Sequence, residues 1–155
     1  MASTSSIQSC GLTVLRITVG IVFLFHGYQK LFHMGFHGVA GMFGHMGIPL
    51  PFVSAVLVTL VEFVGGILLI AGLGTRLAAA ALAVDMAVAI VLVHLKHGFG
   101  AQNGGFEFPL TLLAATLCLA MSGGGMLSLR KYRRPAYFFI GFARSLKCRI
   151  AAAVR

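Results

Sequence analysis

Four long apolar stretches make up most of this 155-residue chain, and they restrict the folds open to it. The first, LTVLRITVGIVFLFHGYQKLF, is long enough to cross about 30 Å of hydrocarbon as a helix that rises about 1.5 Å per residue. With 59% hydrophobic and only 10% charged residues, the chain lacks the polar surface of a soluble domain. The sequence therefore predicts an all-α, integral membrane four-helix bundle, with helices at about residues 12–32, 52–72, 76–96 and 106–122.

The segments between these stretches are typical of turns. Residues 33–51 are rich in Gly and His, with two Pro, and are predicted to turn, with a short interfacial helical piece across VAGMFGHM. HGFGAQNGG predicts a flexible loop, and Gly123–Gly125 predicts the end of the fourth helix. We expect a transmembrane domain over residues 1–129 and a separate tail over residues 130–155.

Charge is concentrated in that tail, which holds eight of the twelve Lys and Arg residues and begins RKYRR. Such a distribution marks the cytoplasmic side of a membrane protein, so the net charge of +9 does not indicate a nucleic-acid partner. The tail's apolar run is too short and too charged to span, and predicts an amphipathic surface helix. Four crossings then place both termini in the cytoplasm.

The acids are the most informative residues, because a carboxylate in a membrane helix is costly unless it is protonated, paired or hydrated. Glu62 lies near the middle of the second helix, and its face carries Thr59 and small glycines, so it is predicted to point into the bundle. Arg16 and His26 are the partners expected from their depth. Asp85 repeats the pattern in the third helix, and the two acids together predict a shared proton or cation. The alternative interpretation is that both acids only hold the bundle in register.

Further polar groups are predicted around the outer mouth of the bundle. His26 and Lys30 are one helical turn apart, and Lys96 and Glu107 flank the loop on the opposite side. Together they predict a polar outer pocket above an apolar bundle.

The histidines cluster towards the outer side, where His33, His37 and His45 are interleaved with methionines that suit a soft metal. The same pattern is typical of interfacial histidines, and no metal site is predicted from it. The cysteines form no CxxC pair, which argues against thiol relay chemistry by the chain itself.

Four motifs occur in order: RITVGIVFLFHGYQKLF, EFVGGILLIAGLGTRLAA, NGGFEFPL and GGGMLSL. Over about residues 12–129 the chain thereby resembles the DoxX family of small bacterial membrane proteins. The resemblance implies four helices, a bacterial inner-membrane location and an association with redox chemistry, after the small subunit of a thiosulfate:quinone oxidoreductase and membrane complexes linked to thiol stress. The chain departs from the family's ending, which places an acid where Arg130 stands.

Ten positions carry the resemblance. They are Arg16, His26, Gly27, Lys30, Glu62, Gly66, Arg76, Gly105, Glu107 and Pro109. With Asp85, the ionisable members of this set are the candidates for ligand binding or proton relay.

Three functions agree with these features. The first is a membrane subunit of an oxidoreductase system that binds a quinone or a similar small apolar redox ligand and is an enzyme only together with a partner. The second is a structural or assembly subunit of a larger membrane complex, reached through helix faces and the basic tail. The third is a small proton-coupled carrier. Whether the chain forms a homo-oligomer is left open.

Overall fold

The structure is a computed structural model that describes residues 2–125, and this part of the chain is all-helical. The predicted surface helix of the tail lies outside the described residues. Five α-helices occur in the described range: α1 Ala2–Tyr28, α2 Gly35–His45, α3 Pro51–Ala71, α4 Thr75–Ala89 and α5 Glu107–Ser122. A first π segment, Gln29–Met34, follows α1, and a second π segment, Ile90–His94, follows α4.

Three helical segments of the described part are long and apolar enough to cross a membrane, namely Ser6–His45, Pro51–Ala71 and Thr75–His97. Helix α5 is shorter, and its 16 residues extend about 24 Å. Large apolar side chains such as Leu57, Leu77 and Met121 are exposed on the outside of the bundle, where lipid would solvate them. The predicted class, an all-α membrane bundle, is confirmed.

The first helix differs most from the prediction. It begins at Ala2 instead of near Leu12, because the polar residues before the apolar run include no proline to interrupt the backbone hydrogen bonds. The chain continues through the first π segment to Gly35, whose φ of 65° is a value that glycine adopts at little cost. It then forms α2 in the segment where a turn with a short helical piece was expected.

Helices α1, α3, α4 and α5 form the bundle. Helix α1 packs along α3, α3 along α4 and α4 along α5, while contacts between α1 and α5 complete the ring. Helix α2 lies against α3, where Val39, Phe43, Ile48 and Ala55 form a small outer core. The main core is formed by residues of all four bundle helices, among them Phe23, Leu69, Leu82 and Leu119.

The glycine turn after α5 returns the chain to α1. A Cβ atom added at Gly125 would lie 2.7 Å from Thr13 Oγ1, and one added at Gly123 would lie 3.4 Å from Arg76 Nε. The start of α4, the end of α5 and the part of α1 around Thr13 are therefore close together on the side where the sequence predicts the cytoplasm. A cationic side chain beside the end of α5 is electrostatically favourable there.

Candidate functional site

An ion pair connects the two helices with the largest shared interface. Lys30 Nζ donates a hydrogen bond to Glu62 Oε2, with Lys30 in the first π segment and Glu62 in the middle of α3. Glu62 is only 4% exposed. The expected partners were Arg16 and His26, so this expectation was wrong. π segments often occur at functional sites, and the sequence pattern does not reveal this one.

Glycines explain why these helices come close enough for the pair to form. A Cβ atom added at Gly27 would lie 2.5 Å from Phe63 N, and one added at Gly66 would lie 2.5 Å from Leu24 N. Only residues without a side chain let two helix backbones touch in this way. The contact at Gly27 and Phe63 lies next to Glu62 and less than one turn before Lys30, so it sets the register that brings the two charges together.

Asp85 lies opposite Glu62 on the neighbouring helix. Leu82 of α4 fits against Gly65 of α3, and one turn further along both helices this antiparallel register places Asp85 beside Glu62. Asp85 is within electrostatic range of both Glu62 and Lys30. Its Oδ2 atom is shielded from solvent and has no hydrogen-bond partner among residues 2–125.

His26 joins the same group from α1. It interacts electrostatically with Lys30 and Glu62, and its ring lies 6.3 Å from the ring of Phe108 of α5. We call His26, Lys30, Glu62 and Asp85 the charge cluster. Its residues come from α1 and the π segment after it, from α3 and from α4, and Phe108 of α5 lies beside it.

Thr59 adds a hydroxyl group one turn from Glu62 on the same face of α3. The side chain is fully buried, and its Oγ1 has no hydrogen-bond partner within the described part of the chain. Buried polar atoms in native proteins are normally hydrogen-bonded, so Thr59 Oγ1 and Asp85 Oδ2 indicate unused capacity for a ligand or a water molecule.

A cavity of about 690 Å³ opens between α3 and α4 on the outside of the bundle. We call it the α3/α4 groove; its lining is Leu60, Val61, Val64, Gly65, Leu68, Leu73, Gly74, Leu77, Ala78 and Ala81. Ala78 and Ala81 line this groove, and Asp85 follows them along the same face of α4.

The remaining candidates lie away from the cluster. Arg16 is buried at 1% exposure and lies about 21 Å from Lys30 along the axis of the first helix. Arg76 lies beside Gly123 at the same end of the bundle. Glu107 is exposed at the opposite end, where its Oε2 accepts a hydrogen bond from Ala101 N, 3.0 Å away. This hydrogen bond secures the loop before α5.

The outer histidines are scattered. The ring of His33 lies 5.5 Å from that of Tyr28, the ring of His37 lies 5.2 Å from that of Phe52, and His45 is exposed. Across residues 2–125, no three His, Cys, Asp or Glu side chains come together in a group that could hold a metal ion.

Comparison with known proteins adds independent information. The model of the family described as DoxX matches residues 11–95. "Putative oxidoreductase CatD" of Bacillus subtilis is 35% identical over 119 residues, which cover 77% of this chain and 84% of the relative. An uncharacterized membrane protein of Mycobacterium tuberculosis is 37% identical over 125 residues, covering 74% and 76%. "Inner membrane protein YphA" of Escherichia coli is 29% identical over 123 residues, covering 76% and 86%. No solved structure matches the chain.

Proposed function

Because the chain belongs to the DoxX family of membrane proteins, we propose that it is a membrane subunit of an oxidoreductase system and binds a quinone or a similar small apolar redox ligand. One of its relatives carries the word oxidoreductase in its name, which agrees with a redox role. In this role the ligand and a partner subunit carry the electrons. The chain itself contributes binding and proton exchange.

The observation that carries this proposal is an apolar groove whose lining includes Ala81, one helical turn before Asp85 of the charge cluster. A quinone has a flat apolar ring, an apolar tail and two carbonyl oxygens that accept hydrogen bonds. The α3/α4 groove is apolar and has the volume of a typical small-ligand site. Asp85 lies one turn beyond Ala81, so a ligand seated in the groove would direct its carbonyl groups towards the cluster.

The side chains of the cluster differ in what they offer such a ligand. Lys30 and Glu62 satisfy each other and provide a polar but neutral wall. Asp85 Oδ2 has no hydrogen-bond partner within the described part of the chain. His26 interacts electrostatically with the pair from the α1 side, and imidazole is the side chain best suited to exchange protons near neutral pH.

The proposed location is the bacterial inner membrane, with both termini in the cytoplasm. Two relatives are named as inner membrane proteins of Escherichia coli, which supports the membrane assignment. The orientation is inferred from the basic residues 130–155 and from Arg76 in the short turn before α4.

Mass spectrometry of the protein purified in native lipid discs tests this function. We expect an isoprenoid quinone to copurify with the wild type and to be lost from Ala81→Phe, which fills the groove. The matched control is Ala80→Phe, because Ala80 is an exposed neighbour that does not line the groove. Equal quinone content in both variants, or no enrichment over the surrounding lipid, would contradict the proposal.

A further inference from the structure

We propose that Asp85 is the proton-carrying group of the charge cluster, neutral at neutral pH, and that it donates its proton in a hydrogen bond to a carbonyl oxygen of the ligand. The second half of this inference rests on the proposed function. The first half concerns the protein alone. Glu62 and Asp85 thereby have different roles.

The negative charge of Glu62 is balanced by the positive charge of Lys30. Glu62 Oε2 accepts a hydrogen bond from Lys30, both side chains are largely buried, and the pair together carries no net charge. Loss of either charge would leave the other isolated in a medium that solvates it poorly. The pair is therefore a stable, ionised element of the bundle.

Asp85, by contrast, has no positive partner of its own among the described residues. The charged groups that act on it are Glu62 of α3, which repels a second negative charge, and Lys30, which is already bound to Glu62. Helix α5 also packs against α4, but its one charged residue, Glu107, lies at the outer end and holds the loop. His26 belongs to the cluster through Lys30 and Glu62. An ionised Asp85 would therefore lack a counter-ion of its own, and a carboxyl group in a membrane interior avoids that cost by keeping its proton.

A neutral carboxyl group has an O–H that needs an acceptor. Asp85 Oδ2 is buried and is not hydrogen-bonded within the described range. The group lies on the same face of α4 as Ala78 and Ala81, which line the α3/α4 groove. An acceptor oxygen at the Ala81 end of an otherwise apolar ligand would be about one helical turn from Asp85, and a carbonyl oxygen of a quinone is such an acceptor.

The sequence offers a direct test, since Asp85 is the only aspartate in the chain. When the full-length protein is labelled with aspartate that carries ¹³C at the side-chain carboxyl carbon, the label gives one protein signal. Nuclear magnetic resonance in lipid discs then distinguishes the carboxylic acid from the carboxylate at this carbon. We expect the acid form at neutral pH and conversion to the carboxylate as the pH is raised. A carboxylate signal at neutral pH would overturn the inference.

The ligand contact is tested in the same sample by adding decylubiquinone. A shift of the Asp85 signal in the wild type and in Ala80→Phe, but not in Ala81→Phe, supports the hydrogen bond, whereas an unchanged wild-type signal overturns it.

The outcomes distinguish a failure of the role of Asp85 from a failure of the proposed function. A carboxylate at neutral pH in protein that retains quinone refutes the role of Asp85 alone. An acid form in protein that never binds quinone supports the proton carrier and refutes the proposed function.

Discussion

Lys30 and Glu62 form an ion pair at a place where two helices meet backbone to backbone. Lys30 comes from a π segment at the end of α1, and Glu62 lies next to Phe63, whose backbone touches Gly27. Close helix contact and charge pairing are therefore parts of one arrangement.

Removal of one charge of the pair should be much worse than removal of both. We expect Lys30→Met to lower the free energy of unfolding by about 3–5 kcal/mol, because Glu62 is left buried and uncompensated. The double variant Lys30→Met with Glu62→Gln should be more stable than Lys30→Met alone. Unfolding in mixed micelles, followed by circular dichroism, measures both. Lys96→Met is the control, since Lys96 is exposed; an equal loss in Lys30→Met and Lys96→Met would contradict the prediction.

Gly27→Ala should separate α1 from α3. The new Cβ atom would lie 2.5 Å from Phe63 N, and backbone cannot move aside as a flexible side chain can. We expect a loss of about 1–3 kcal/mol in the same unfolding measurement. Gly11→Ala on the same helix is the matched control, because its Cβ atom would meet nothing within 4 Å. It should be neutral or should stabilise the helix by up to about 1 kcal/mol.

Two buried threonines should respond to valine in opposite directions. Thr116 Oγ1 donates a hydrogen bond to Leu112 O, 2.8 Å away, so Thr116→Val should destabilise the protein by about 1 kcal/mol. Thr59 Oγ1 has no such partner in the described part, so Thr59→Val should be neutral or stabilising in the ligand-free protein. Thermal unfolding in detergent compares them. A clear loss of stability in Thr59→Val would show that the hydroxyl is already satisfied.

Gly105→Ala should open the loop that precedes α5. Its Cβ atom would collide with Gly98 O, next to the hydrogen bond from Phe106 N to that oxygen at 3.1 Å. We expect amide hydrogen exchange at Phe106 to become at least about tenfold faster, which corresponds to about 1.4 kcal/mol. Gly100→Ala, with open space at its Cβ position, should leave the exchange rate unchanged.

The proposed orientation predicts which cysteines an impermeant maleimide reaches. In a background with Cys118→Ser and Cys148→Ser, exposed Cys10 should be protected in intact spheroplasts and labelled only after lysis. Ala101→Cys, in a variant with Cys10→Ser added, should be labelled before lysis because Ala101 is exposed in the outer loop. The reverse pattern would mean that the orientation is inverted.

Much of the fold was predictable because the signals are local. An apolar run of a given length identifies a membrane helix wherever it lies in the chain, and the predicted all-α bundle is confirmed. A carboxylate in such a run indicates shelter inside the bundle, and Glu62 is indeed buried. The π segments have no comparable signal in the sequence, because QKLF and IVLVH lie in stretches that predict ordinary helix.

The identity of the membrane helices and the need to compensate Glu62 thus followed from the sequence alone, since hydrophobicity and helix length act residue by residue. Only the tertiary structure decided that Lys30, and not Arg16 or His26, forms the ion pair. It also decided that Ala81, one helical turn before Asp85, lines an open groove. Both depend on how far one helix is shifted along another, and that register is set where glycines let two backbones touch.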